Sequence, residues 1–364
     1  MLRALVWLLL MFFAALLPGA APALAPAQPL TPRIVAIGDL HGDHAAWRAI
    51  ARAARLIDAN GRWAGGKAAL VQVGDIVDRG PDSLKIIRDL MRLEREAAAK
   101  GGQVVALIGN HEAMMMTGDD RYIHPGEYAA FADRRSERRR ADTYQANRAA
   151  IEAAYRAREP ALLPATIRER WMQATPLGML EYRAAWAPGG ELGRWTLGHR
   201  AVARVGDSLF VHGGISSAYA SLSIEEINRR VAAALTAGDE TPTAIINDPM
   251  GPLWYRGLVT RSADAEAAKP AAPAPATPPA APPRPTIDQE IATVLGAYRV
   301  KRIVIGHTPT LGGIVEGRGG KLWRIDSAIS SAYGGTPSYL EITGDRVVAV
   351  MVPRPAPAAR GKIQ

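Results

Sequence analysis

The chain has no cysteine. That absence excludes disulfide bonds, thiolate-held zinc and a cysteine nucleophile, so any metal must be held by His, Asp, Glu, Asn or water. Aromatic residues are sparse at 6%, and no basic repeat interleaved with aromatics appears. The net charge of +9 therefore reads as a solvated basic surface, its Lys and Arg spread along the chain, and no nucleic-acid partner is expected. Long apolar runs are lacking too: the longest, "ALVWLLLMFFAALL" from Ala4 to Leu17, falls short of the ~20 residues of a membrane span. With an Arg before it and small residues and Pro after it, this run predicts a signal peptide over residues 1–27, with Ala-x-Ala cleavage options between Ala21 and Ala27. The mature chain is expected in the periplasm or secreted; contact with a membrane would come only through an uncleaved leader.

What is present describes a globular chain, 48% hydrophobic and 22% charged over 364 residues. From Arg33 a strand "RIVAIG" is followed by a helix-like "HAAWRAIARAARLI", a strand "AALVQVG", a helix "SLKIIRDLMRLEREAAAK" and a strand "QVVALIG". This alternation predicts an α/β layered fold with ligands at the carboxyl ends of the strands. Between residues 113 and 195 the alternation stops, and the Ala-, Arg- and Glu-rich composition predicts an inserted helical cap, with one long helical stretch over 127–159. The charge run Arg134–Arg140 reads as a solvated helix face. Strands resume at "AVARV" and "SLFVHGG", a helix "SIEEINRRVAAALT" follows, and residues 262–286 carry a Pro/Ala tract that cannot pack a core. The helix "IDQEIATVLGAY" and four further strands complete a catalytic domain over 33–352, leaving 353–364 as a flexible tail.

Five polar clusters interrupt this pattern where strands should end: "GDLHGD" at 38–43, "GDIVDRG" at 74–80, "GNHE" at 109–112, "VHGG" at 211–214 and "GHT" at 306–308. The first three lie roughly 35 residues apart, close to a βαβ unit of about 30 residues or more, so parallel neighbouring strands would deliver them side by side. Together they offer the carboxylates Asp39 and Asp75, the imidazoles His41, His212 and His307, and the amide oxygen of Asn110. Oxygen and nitrogen donors without sulfur suit Mn, Fe, Zn, Co or Ni. Two cations close together need a bridging carboxylate, and Asp75 is the candidate. Asp43 reads as the N-cap of the following helix rather than a ligand.

These blocks resemble the signatures of the calcineurin-like metallophosphoesterases, in their phosphoprotein phosphatase branch. Within it "IDSAISSAYGG" is most similar to the Asp-Ser-Gly-Met-Ser and Tyr-Gly-Gly block of the Shewanella-like protein phosphatases, with Ala328 and Ile329 in place of Gly and Met. The resemblance implies a layered β-sandwich flanked by helices. It implies two divalent metal ions, Mn foremost, one bound by Asp39, His41 and Asp75 and the other by Asp75, Asn110, His212 and His307. His111, supported by Asp78, would protonate the leaving alkoxide. Arg79 would hold the phosphate, with Arg256 of "WYRG" as a second clamp. The implied reaction is hydrolysis of phosphomonoesters on phosphorylated proteins, on Ser/Thr or Tyr with a tilt toward Tyr, by direct attack of a metal-bridging hydroxide. Two other readings stand beside it. A pyrophosphohydrolase similar to the dinucleoside tetraphosphatases would want an aromatic platform such as Trp254 or Tyr255. A metal-binding module with a dead site would lack His111 or Asp75, which this chain has.

Overall fold

In the computed structural model, residues 33–261 and 285–355 are described. The expected leader, the Pro/Ala tract as far as residue 284 and the chain from 356 onward lie outside the described residues.

Strand β1 (Ile34–Ile37) is apolar at all four positions because both its faces are covered. Ile34 and Ala36 point into a core between two sheets, while Val35 and Ile37 point into a second core beneath helices. Strands β2 (Ala69–Gln72) and β3 (Gln103–Ala106) run parallel beside it. The crossovers are α1 (His44–Ala53) and α2 (Ser83–Ala98). Helix α1 starts where Asp43 accepts the Ala46 N–H at 2.9 Å, and it buries Ala46, Trp47, Ile50 and Ala51 along one stripe. Asp43 is thus the predicted cap. On the other side of β1 lies the antiparallel hairpin of β9 (Ser338–Thr343) and β10 (Arg346–Met351), giving the order β10-β9-β1-β2-β3.

The second sheet is ordered β4-β5-β6-β8-β7, built from β4 (Val202–Val205), β5 (Ser208–Val211), β6 (Arg302–Ile305), β7 (Val315–Gly317) and β8 (Leu322–Arg324). Phe210, Val304 and Trp323 meet Val71 and Leu340 in the inter-sheet core. Outside, α10 (Ile224–Ala237) and α11 (Ile287–Tyr298) contribute Ile227, Val231, Ile291 and Val294 to the outer core. Helix α11 opens on a capping box in which the side chains of Thr286 and Gln289 each accept the other's backbone N–H. The result is the expected sandwich with helices on its faces.

Helix α3 (Asn110–Thr117) leads into a roof of α4 (Pro125–Ala129), α5 (Ser136–Ala146), α6 (Arg148–Arg158), α7 (Pro164–Ala174), α8 (Met179–Trp186) and α9 (Glu191–Leu197). The long helix expected over 127–159 is three helices. Asn147 ends α5 by turning its amide onto the Thr143 carbonyl at 2.9 Å, and α6 restarts beyond it. Beyond β10, Arg354 donates to the carbonyls of Ile329 and Gly335 at 2.6 and 2.7 Å.

Candidate active site

The five polar clusters meet at the carboxyl ends of β1, β2, β3, β5 and β6. Their loops are stitched together by the backbone: the N–H groups of Leu40 and His41 both donate to the Asp75 carbonyl, at 2.9 and 3.0 Å. Glu112, quoted in "GNHE" but given no role from sequence, accepts the N–H groups of Asp75 (2.9 Å), Gly109 (2.8 Å) and Ile76 (2.8 Å) with its buried carboxylate. The fit is close. A Cβ on Gly109 would lie 2.2 Å from Asp75 Oδ1, so only glycine is accommodated. His41, Asp75, Asp78, Arg79 and His307 all take left-handed backbone conformations, with φ of 41°, 56°, 69°, 66° and 64°. Such conformations cost energy for non-glycine residues and gather at functional sites.

Asp39, His41, Asp75, Asn110, His111, His212 and His307 are all buried. The Nδ1–H of His41 donates to the Val77 carbonyl and that of His212 to the Val73 carbonyl, both at 2.9 Å. Each ring therefore turns the lone pair of Nε2 inward. These nitrogens face Asp75 Oδ2 at 3.8 Å from His41 and 3.3 Å from His212, and His212 Nε2 also lies 2.9 Å from Asn110 Oδ1. Lone pairs facing oxygens repel unless a cation or proton lies between. His307 Nε2 is buried with no hydrogen-bond partner among the described residues. Burial lowers His41 to about 3 and holds His307 well below the usual imidazole range, so both are neutral donors. Burial opposes the Asp75 carboxylate, and positive charge beside it, whether on the imidazoles of His212, His111 and His41 or on a cation between them, holds it well below the usual carboxylate range. This donor set fits divalent cations. Among the described residues two groups sharing Asp75, namely His41–Asp75–His111 and Asp75–His212–His307, have ligand atoms within 4.8 Å of one another.

Asp39 stands beside these groups rather than within them. Its carboxylate accepts the His307 N–H at 3.2 and 3.1 Å and lies against Asp326, a residue that sequence reasoning left unassigned. Burial, then the charges of Asp326 and Asp75, raise Asp39 well above the carboxylate range; burial carries Asp326 to about 6. This excess of buried negative charge is a second reason why cations fit.

His111 donates Nδ1–H to Asp78 Oδ2 at 2.5 Å and points Nε2 toward Asp75 Oδ2 at 3.8 Å. Burial opposes its charged form, but Asp75 and the hydrogen-bonded Asp78 outweigh this and raise His111 above the usual imidazole value. The Arg79 guanidinium lies between two rings, 4.5 Å from the centroid of Tyr122 and 5.0 Å from that of Tyr333. Tyr333 belongs to the Tyr-Gly-Gly block but carried no role in the sequence reading, and Tyr122 had none. Arg256 is exposed beside the cluster, its Nη1 at 3.5 Å from Thr308 Oγ1. Of the two aromatic platforms considered, Tyr255 is buried and bonds Glu290 at 2.5 Å. Trp254 packs edge-on against His307 with 5.7 Å between centroids and helps to line a cleft of about 470 Å³.

A two-sheet sandwich that gathers carboxylates and imidazoles at its strand ends has the metallophosphoesterase fold, and the sequence comparisons agree. The model of the calcineurin-like phosphoesterases matches residues 32–311. An Arabidopsis thaliana protein named Shewanella-like protein phosphatase 2 is 32% identical over 331 residues, 89% of this chain and 78% of the relative. An uncharacterised protein of Schizosaccharomyces pombe is 30% identical over 319 residues, 85% of this chain and 77% of the relative. The crystal structure of a cold-active protein-tyrosine phosphatase from a Shewanella species shares the fold with a TM-score of 0.60 at 23% identity, covering 90% of this chain and 83% of that one. The chain belongs to the calcineurin-like phosphoesterase family and is a phosphatase, a hydrolase acting on phosphoesters.

Proposed function

We propose that the protein removes phosphate from phosphoproteins with the help of two divalent cations, manganese foremost and iron, zinc, cobalt or nickel as alternatives. The observation that carries this reading is the set of imidazole Nε2 lone pairs turned onto Asp75 and Asn110. Asp39, His41 and Asp75 would hold one cation, and Asp75, Asn110, His212 and His307 the other, with Asp75 shared. Bound there, the cations would polarise the phosphoryl group and make the attacking water more acidic.

The chain's own residues do the rest. Arg79, packed against the rings of Tyr122 and Tyr333, presents a planar fork to two phosphoryl oxygens, and Arg256 adds a second cation at the rim. Water attacks phosphorus in line and the bond to the ester oxygen breaks. His111 fixes one proton on Asp78 and delivers the other, from Nε2, to the departing oxygen. A phosphoprotein substrate, with phosphotyrosine slightly favoured, is supported by the names of the Arabidopsis relative and of the Shewanella structure.

Assaying the purified protein with manganese on phosphotyrosine peptide, phosphoserine peptide and dinucleoside tetraphosphate tests the substrate class. Peptide dephosphorylation is expected to dominate; faster cleavage of the dinucleotide would overturn the reading. We place the mature protein in the periplasm or outside the cell, from its leader. Sequencing its N-terminus should give a start between about residues 21 and 28, and an intact Met1 form in the cytosol would contradict this.

A further inference from the structure

The roof does more than cover the site. Asp78 and Arg79 form a left-handed dipeptide that carries both the partner of His111 and the guanidinium between the tyrosines. Both of its backbone N–H groups are taken by the insertion: Asp78 N–H donates to Glu127 Oε1 at 3.1 Å, and Arg79 N–H to the Tyr122 carbonyl at 3.0 Å. Glu127 lies in α4, is 3% exposed, and also accepts the Ser83 hydroxyl at the start of α2. Phe131, Tyr182 and Trp186 wall the small cavity beside it. A carboxyl placed among such rings, with a backbone amide and a hydroxyl as its partners, is costly to bury. The same roof carries the Tyr122 ring, whose centroid lies 5.2 Å from that of His111.

We propose that Glu127 is a positioning residue for the phosphatase reaction: through the Asp78 N–H it fixes the aim of the His111–Asp78 pair and of Arg79. The inference rests on the reading of His111 as the acid. A two-residue turn with two left-handed non-glycine residues relaxes unless its amides are held, and relaxation would swing Asp78 away from His111. Misplacement by about 1 Å at a reacting group costs up to about 10²-fold in rate.

The test compares Glu127→Ala, Glu127→Gln and His111→Asn on phenyl phosphate and p-nitrophenyl phosphate, with metal content and melting temperature followed in parallel. Glu127→Ala should lose about 10²-fold in kcat on phenyl phosphate and several-fold less on p-nitrophenyl phosphate, whose leaving group needs little protonation. Its metal content should be unchanged. Glu127→Gln keeps the acceptor oxygen and should restore most of the rate. Should Glu127→Ala not fold, Glu127→Asp, which withdraws the acceptor by one methylene, is read the same way and should show the same leaving-group dependence. If His111→Asn is leaving-group dependent while Glu127→Ala, or Glu127→Asp in its place, loses both substrates equally or loses neither, the positioning role is wrong. If His111→Asn itself shows no such dependence, the reading of the acid fails instead, and the inference with it.

Discussion

Asp78 and His111 lie 2.5 Å apart, Oδ2 to Nδ1, in the interior of the protein, and the second oxygen of Asp78 is buried with no partner among the described residues. One carboxylate oxygen is thus committed to one imidazole nitrogen, which sets the tautomer of His111 and the direction of its Nε2. His111→Asn should keep metal content and lower turnover of poor leaving groups by about 10²-fold or more. Steady-state rates over a series of aryl phosphates check this: the slope against leaving-group pKa should steepen in the variant, and an unchanged slope would contradict the role.

Burial pushes Glu127 up to about 8 from an ordinary 4.5. Between these values the folded protein holds a proton that the unfolded chain has released, so this group's contribution to stability falls as pH rises through that window. Glu127→Gln removes the titration. Melting curves of wild type and variant should therefore diverge in favour of the variant as pH rises from 5 to 8, and parallel curves would refute the shift.

Ala328 is buried with φ of 53°, where an L-residue costs about 1–2 kcal/mol and glycine does not. Glycine loses about 0.5–1 kcal/mol of this advantage to the entropy of the unfolded chain. Ala328→Gly should accordingly raise stability by up to about 1.5 kcal/mol, read as a higher denaturation midpoint. A lower midpoint would show that the buried methyl matters more than the backbone.

The strands and their polar ends were legible in the sequence for one physical reason. Strands buried on both faces read as unbroken apolar runs, and Asp or His directly after such a run demands a partner. Asp39, His41, Asp75, Asn110, His212 and His307 all stood out this way, and the structure gathers them. Glu112 carried a signal, since it adjoins Asn110 and His111, but its role is to accept amides some 36 residues earlier, which no local pattern reveals. Glu127 and Tyr122 were hidden for a stronger reason: they lie in the inserted segment, Glu127 in α4 and Tyr122 in the turn before it, and their partners are in another loop. Asp326 was visible only as part of a block, and its contact with Asp39 depends on the second sheet closing on the first. The break between α5 and α6 escaped because Asn147 ends a helix through one side-chain bond, a weak signal in an Ala- and Arg-rich run.

Asp75 is shared by both ligand groups, so removing its charge should disable both cation sites at once. Metal analysis and turnover of Asp75→Asn should be measured on the same preparation, beside wild type before and after chelation. Wild type should hold about two divalent cations per chain, lose activity and thermal stability together on chelation, and recover both with manganese. Asp75→Asn should bind less metal and be inactive. Full turnover in Asp75→Asn, or in metal-free wild type, would contradict the account.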